Sequence, residues 1–294
     1  MPVTNVHIID KLFLKPEYLN NSGVSGNKYR KLKYNLEAMQ LLKAGVLLTF
    51  GGAYSNHIAA VARAGHEEGY ETIGVIRGEE LADQIYDNPT LAQARDYGMK
   101  LKFISRKEYR NKDSAEFLDP LEKEFGPYYY LPEGGTNALA VKGCEEILTT
   151  DDQDFDIICC PVGTGGTMAG IINSSHAHQT VLGFPALKGD FLKRDIAKFA
   201  KRDNWRLMTS YHFGGYGKIN EELISFINRF LEDFGIPLDP IYNGKMMFGI
   251  FDMLEKGELN RNLKILAVHT GGLQGIQGMN KVLQKKKLPQ LKVL

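Results

Sequence analysis

Cysteine is scarce in this chain: three in 294 residues, two of them adjacent at Cys159-Cys160. No C-x-x-C pair and no Cys/His cluster occurs, so neither a zinc site nor any other metal site is expected. Sparse cysteines in odd number suit a reducing compartment. No apolar run reaches the roughly 20 residues that span a bilayer, and Met1-Pro2-Val3-Thr4-Asn5-Val6-His7 lacks the charged and apolar regions of a signal peptide. Charge of one sign is missing too. Thirty-six basic residues stand against 35 acidic ones, a net of +1, which gives no broad pull towards nucleic acid or anionic lipid. The one basic run, Lys285-Lys286-Lys287, reads as a solvated tail. Low-complexity sequence, internal repeats and Ser/Pro/Gly-rich linkers are absent. These gaps exclude membrane, nucleic-acid and secreted disulfide classes and leave a cytoplasmic globular protein.

What is present is alternation. Apolar runs at 46–50, 72–76, 101–104 and 128–131 read as one set of strands, and 157–162, 181–184, 207–211 and 265–268 as another. Amphipathic segments at 55–68, 88–97, 113–125, 137–149, 190–202, 219–233 and 244–256 lie between them. Such alternation predicts an α/β fold with parallel-rich sheets flanked by helices. A length of 294 residues has room for two domains. From composition alone, the polar stretch 149–156 is the best crossing point between the two groups. Cys159 and Cys160 should face opposite sides of their strand.

Three glycine-rich or cationic turns carry candidate chemistry. Gly163-Thr164-Gly165-Gly166-Thr167 follows a strand and precedes an apolar helical segment, so its backbone N–H groups, hydroxyls and helix start suit a phosphate. It is not a P-loop, because Ile171 stands where lysine is needed, and not a dinucleotide fingerprint, because the third glycine would fall at Met168. A tight turn without ligand remains the plain alternative. Ser25-Gly26-Asn27-Lys28-Tyr29-Arg30-Lys31-Leu32 reads as a helix start, with Leu32, Leu36, Met39, Leu41 and Leu42 on an apolar face. Lys28 in the first turn is disfavoured as a cation, which lowers its proton affinity and suits imine formation. An ordinary surface lysine is the competing reading. Thr49-Phe50-Gly51-Gly52-Ala53-Tyr54-Ser55-Asn56-His57 joins a strand to a helix, and Ser55 serves equally well as a simple cap. No aspartate completes a triad with Ser55 and His57, so a serine hydrolase is not indicated.

Together these pieces resemble the fold-type-II pyridoxal phosphate enzymes (tryptophan synthase β-like). Within them the likeness is to the 1-aminocyclopropane-1-carboxylate deaminase and D-cysteine desulfhydrase family. It runs from about Phe13 to Gly278 and includes Glu133-Gly134-Gly135-Thr136-Asn137, Asp239-Pro240-Ile241-Tyr242 and His269-Thr270-Gly271-Gly272. The resemblance implies pyridoxal 5′-phosphate held as a Schiff base on Lys28, which also moves protons. It implies that Asn56 bonds the cofactor's phenolic oxygen and that Gly163, Thr164, Gly165, Gly166 and Thr167 hold its phosphate. Tyr54, Ser55, Asn56 and His57 would meet the substrate, with Ser55, Tyr242 and Tyr216 as catalytic groups. Thr270 and Asn243 would approach the pyridine nitrogen. A large domain of 1–33 and 141–294 with a small inserted domain of 34–140 also follows from the resemblance, as does a homodimer. It displaces the crossing at 149–156.

Two departures qualify the likeness. The chain begins late relative to the family pattern, so a shortened N-terminal element is expected. Asn243 follows Tyr242 where cyclopropane-opening deaminases carry glutamate, and Thr270 stands where they carry leucine. Without a carboxylate at the pyridine nitrogen the cofactor is a weaker electron sink. That favours β-elimination from a small D-amino acid, D-cysteine first, giving pyruvate, ammonia and hydrogen sulfide. Opening of 1-aminocyclopropane-1-carboxylate and a non-catalytic cofactor carrier remain the alternatives.

Overall fold

Strand–helix alternation resolves into two separate sheets in the computed structural model, which describes residues 3–21 and 23–293. An opening hairpin of β1 (Val6–Ile9) and β2 (Leu12–Lys15) leads into α1 (Asn27–Leu41). There follow β3 (Val46–Gly51), α2 (Asn56–Glu68), β4 (Glu71–Arg77), α3 (Pro89–Asp96), β5 (Lys100–Ile104), α4 (Ala115–Phe125), β6 (Tyr129–Leu131) and α5 (Ala138–Cys144). The chain continues through β7 (Ile157–Val162), α6 (Gly166–Ser174), β8 (Thr180–Pro185), α7 (Phe191–Ala197) and β9 (Trp205–Leu207). It ends with α8 (Glu221–Phe234), α9 (Asn243–Glu255), β10 (Ile265–Val268) and α10 (Gly275–Lys285).

The larger sheet has the order β1-β2-β10-β7-β8-β9 and is parallel except for the β1–β2 hairpin. The smaller, β5-β4-β3-β6, is parallel throughout. Continuous apolar strands demand cover on both faces. Cys159 accordingly packs with Ile227 and Phe230 of α8 and Met246 of α9, whereas Cys160 faces Ile171 of α6 and Leu192 of α7. The smaller sheet buries Leu47 and Ile76 against α1 and α2 on one face and Phe50 and Val75 towards Leu121 of α4 on the other. Its strands all fall between residues 46 and 131. We propose 34–140 as the inserted unit that contains them.

The structure corrects several sequence expectations. The hairpin β1–β2 was not foreseen, because its turn, Asp10-Lys11, lacks the glycine that usually marks one; Asp10 itself takes φ 47°. The expected strand 207–211 shifts to Trp205–Leu207, and Thr209–Tyr211 form a 3-10 turn tied down by Tyr211 Oη donating to Asp252 at 2.8 Å. Leu41 and Leu42 are not on the buried face: they are 85% and 69% exposed, and the face at the period of Lys31 and Met39 is completed by buried Asn35. Lys285-Lys286-Lys287 are solvated as expected, but Lys285 belongs to the last turn of α10, where a cation favours the helix's negative end. Among the described residues no helix is long and apolar enough to cross a membrane, and no group of side chains is arranged to hold a metal.

Candidate active site

Open parallel sheets bind ligands beyond the carboxyl ends of their strands. Here both sheets direct those ends at one cavity of about 890 Å³. Residues after β3, β4 and β6 line one wall, and residues after β7 and β10 line the other.

Lys28 lies in the first turn of α1, and the start of that helix is fixed by close backbone contact. Gly26 has φ +66°, and a Cβ there would lie 2.2 Å from the carbonyl oxygen of Thr270. The next N–H, of Asn27, donates to that same oxygen at 3.1 Å. A buried pair, Arg30 Nε to Glu17 at 2.9 Å, holds the segment behind the turn. Lys28 has no hydrogen bond or ion pair among the described residues. Burial first, and the Lys31 charge second, lower its pKa to about 7.

The turn 163–167 leads into α6 through Gly165 at φ +86°. A Cβ on Gly163 would come within 3.1 Å of the Tyr242 ring. Thr164 and Thr136 share a 2.6 Å hydrogen bond across the two walls. Lys31, which sequence reasoning had placed only within a motif, donates from Nζ to Gly134 O at 2.8 Å, Thr136 Oγ1 at 2.9 Å and Thr164 Oγ1 at 3.4 Å. Its spacing of three from Lys28 on one helix was the available signal.

In the turn before α2, Ser55 Oγ accepts from the N–H groups of His57 and Ile58 at 3.2 and 3.3 Å, so it does cap the helix. Its own O–H remains available to the cavity it lines. Asn56 Oδ1 accepts from Gln274 at 2.8 Å. His57 is buried; Thr49 donates to Leu131 O at 2.8 Å, so His57 Nε2 must donate to Thr49 at 2.8 Å. That assigns a neutral ring, consistent with a pKa driven down by burial and then by Lys28 and Lys31, and leaves Nδ1 without a partner. Tyr54 lines the cavity with its ring against Gly278 of α10.

On the opposite wall the rings of Tyr216 and Tyr242 meet edge to face, 6.1 Å apart. Burial raises the pKa of Tyr242 well above the ordinary phenol value, and partial desolvation raises that of Tyr216, which is 42% exposed; both stay protonated at neutral pH. The Tyr216 loop has positive φ at Phe213, Gly214, Gly215 and Gly217. It is clamped by buried Lys245, whose Nζ donates to His212 O and Gly215 O, both at 2.9 Å.

A profile described as "Pyridoxal-phosphate dependent enzyme" matches residues 4–271. The chain belongs to this family. It is 31% identical over 283 residues to a putative 1-aminocyclopropane-1-carboxylate deaminase of Pyrococcus horikoshii, covering 90% of this chain and 85% of that one. It is 30% identical to the mitochondrial bifunctional D-cysteine desulfhydrase/1-aminocyclopropane-1-carboxylate deaminase of Arabidopsis thaliana, over 90% of this chain and 73% of the relative. The crystal structure of an ACC deaminase homologue superposes with a TM-score of 0.82 at 27% identity, covering 97% of this chain and 94% of its own. The protein is therefore a fold-type-II pyridoxal-phosphate enzyme of the ACC deaminase and D-cysteine desulfhydrase family, and its cofactor is pyridoxal phosphate.

The residues present fit that cofactor. Lys28 offers an amine of pKa about 7 without a competing partner. The glycine turn, the start of α6 and the Lys31 amine supply a cradle for an anion. Most of the expected site residues line this one cavity: Lys28, Tyr54, Ser55, Asn56 and His57, with Gly163, Thr164, Gly165, Thr167, Tyr216, Tyr242 and Thr270. Two stand behind it. Gly166 turns its Cα towards Thr136, where an added Cβ would lie 2.8 Å from Oγ1. Asn243 is fully committed: Nδ2 donates to Asp239 and to Gly271 O, while Oδ1 accepts from the Thr270 N–H at 2.9 Å. Its amide thus has nothing left for a ring nitrogen, and its part is to position Thr270.

Proposed function

We propose that this enzyme catalyses β-elimination from a small D-amino acid, D-cysteine first, yielding pyruvate, ammonia and hydrogen sulfide. The observation that carries the reading is an unpartnered Lys28 amine with a pKa of about 7, in one cavity with the hydroxyls of Ser55, Tyr216 and Tyr242. Bound pyridoxal phosphate supplies the electron sink that acidifies the substrate's α-carbon. Lys28 is neutral in a large fraction of molecules at neutral pH and takes that proton at Nζ. The Ser55 O–H and the positive end of α2 bind the substrate carboxylate. Tyr242 and Tyr216 are protonated at neutral pH and donate to the departing sulfur. The N–H of Thr270, held by Asn243, fixes where the Thr270 hydroxyl stands.

The preference for elimination over ring opening rests on the absence of a carboxylate around Thr270. Among the described residues lining the cavity, Glu133 is the sole carboxylate, and it follows β6 on the opposite wall. Asp239 is buried behind the wall and bonded to Asn243 and to the N–H groups of Ile241 and Tyr242. Opening of 1-aminocyclopropane-1-carboxylate stays as a second reading, favoured by the name of the Pyrococcus relative. A homodimer, proposed from the family resemblance, is read by light scattering. The functional test is conversion of D-cysteine to pyruvate and sulfide by the holoenzyme, with borohydride fixing the cofactor's mass on the Lys28 peptide. Modification of another lysine, or conversion by Lys28→Ala at the wild-type rate, would refute the assignment.

A further inference from the structure

The wall of the cavity built by the smaller sheet carries cations that the elimination does not use. Arg77 ends β4, and Arg106 and Arg110 follow β5, so adjacent parallel strands deliver three guanidinium groups beyond their carboxyl ends. Arg106 is paired with Glu80 at 2.6 Å. Arg77 and Arg110 have no ion pair among the described residues. Arg77 is held over the Tyr109 ring, 5.6 Å from its centroid, and its Nη2 would be 3.7 Å from a Cβ on Gly52, in the turn that carries Ser55. Tyr109 itself is 4% exposed and lines the same cavity, and its buried hydroxyl stands beside the Glu133 carboxylate, which after burial is the next cause that raises its pKa. Glu133 also lies 3.5 Å from Lys112, so its charge is shared with a cation as well as with the phenol.

Arg77 over the Tyr109 ring and Arg110 on the same cavity wall bring two guanidinium groups without an ion pair to a cavity that Glu133 alone lines with a carboxylate among the described residues, an incomplete charge set. What would complete it is an oxyanion: guanidinium forks match carboxylate, sulfonate and phosphate, and a phenol adds a third donor. The substrate's α-carboxylate is already met at Ser55 and the start of α2, and the cofactor's phosphate at Thr164 and Lys31. We infer that Arg77, Arg110 and the Tyr109 hydroxyl form a subsite for a second negative charge, at the far end of the substrate's side chain. This rests on the elimination reading and narrows its substrate class. The preferred substrates are β-substituted D-amino acids whose substituent ends in an oxyanion, and D-cysteine is the truncated member that leaves the subsite unfilled.

The test titrates holoenzyme with D-aspartate and D-asparagine and follows cofactor absorbance. The two share size and α-carboxylate and differ in distal charge. D-aspartate should bind at least about tenfold more tightly at low salt, the scale of one added charged hydrogen bond. The advantage should shrink with added salt, disappear in Arg77→Gln/Arg110→Gln and be partly kept in Arg77→Lys/Arg110→Lys. D-Cysteate and O-phospho-D-serine, run in parallel, rank sulfonate and phosphate against carboxylate. Equal binding of the isosteric pair by wild type overturns the subsite, whether or not the variants fold, and so does an advantage that survives the double glutamine change. If D-cysteine is still converted in that case, the elimination reading stands alone. If no amino acid perturbs the absorbance and D-cysteine is not converted, both fall.

Discussion

At Lys28 the protein favours the neutral amine, chiefly through burial and secondarily through the charge of Lys31. The sign follows directly: a lysine whose pKa is lowered loses its proton as pH rises through that value. Covalent capture of pyridoxal phosphate by apoenzyme should therefore accelerate roughly tenfold per pH unit below about 7 and level off above it. Stopped-flow absorbance at a series of pH values reads this; a midpoint near the ordinary lysine value would contradict the burial argument. Lys31→Gln should move the midpoint upward and weaken cofactor binding, since it removes both the neighbouring charge and the donor beside Thr164. In the glycine turn the structure changes the expected cause of a substitution. A methyl on Gly166 would strike Thr136, and one on Gly165, already at φ +86°, would strike Ile196 at 2.6 Å. Gly166→Ala is thus expected to cost about 1–3 kcal/mol of stability as well as cofactor affinity. Denaturant melts of apoenzyme separate the two; unchanged stability would leave phosphate contact as the sole cause.

Elements were legible in the sequence where their signals are local. The glycine turn, the Gly-Asn-Lys helix start and the Ser-Asn-His turn each join a strand or loop to a helix within a few residues, and each lines the cavity. The roles of Lys31, Lys245 and Arg77 were not legible, because they depend on partners 30 to more than 100 positions away, brought close only by packing. Asn243 illustrates the same limit: its position after Tyr242 suggested a cofactor contact, yet packing turns its amide onto Asp239, Gly271 and Thr270. Leu41 and Leu42 continued an apolar pattern past the point where the helix still faces anything. Lys245 on α9 gives a test at this scale. Lys245→Met leaves the carbonyls of His212 and Gly215 without their donor, a loss of about 1–3 kcal/mol that the Tyr216 loop should absorb. We expect kcat/KM to fall severalfold while cofactor absorbance at saturation is retained; an unaltered kcat/KM would show that the loop's position is immaterial to turnover.

Across the whole molecule, two parallel-rich sheets meet at the carboxyl ends of their strands, so the groups that line the cavity are shared between walls that come from distant parts of the chain. The alternation of strands and helices made the α/β class readable, since periodicity is a property of each segment. The sheet orders were not readable, because β2 beside β10 joins residues some 250 positions apart. The wall that carries Tyr242 and Thr270 offers hydroxyls and no cavity-lining carboxylate, and that chemical bias is the central claim. It is tested by kcat/KM for D-cysteine and for 1-aminocyclopropane-1-carboxylate, on wild type and on Asn243→Glu/Thr270→Leu. In the double variant a new carboxylate would lie beside Asp239, so some stability should be lost to like-charge repulsion. The account requires wild type to favour D-cysteine by at least about tenfold, a difference of about 1.4 kcal/mol in barrier, and the double variant to shift towards ring opening. Wild-type ring opening as efficient as elimination, or a ratio unmoved by the double change, would contradict it.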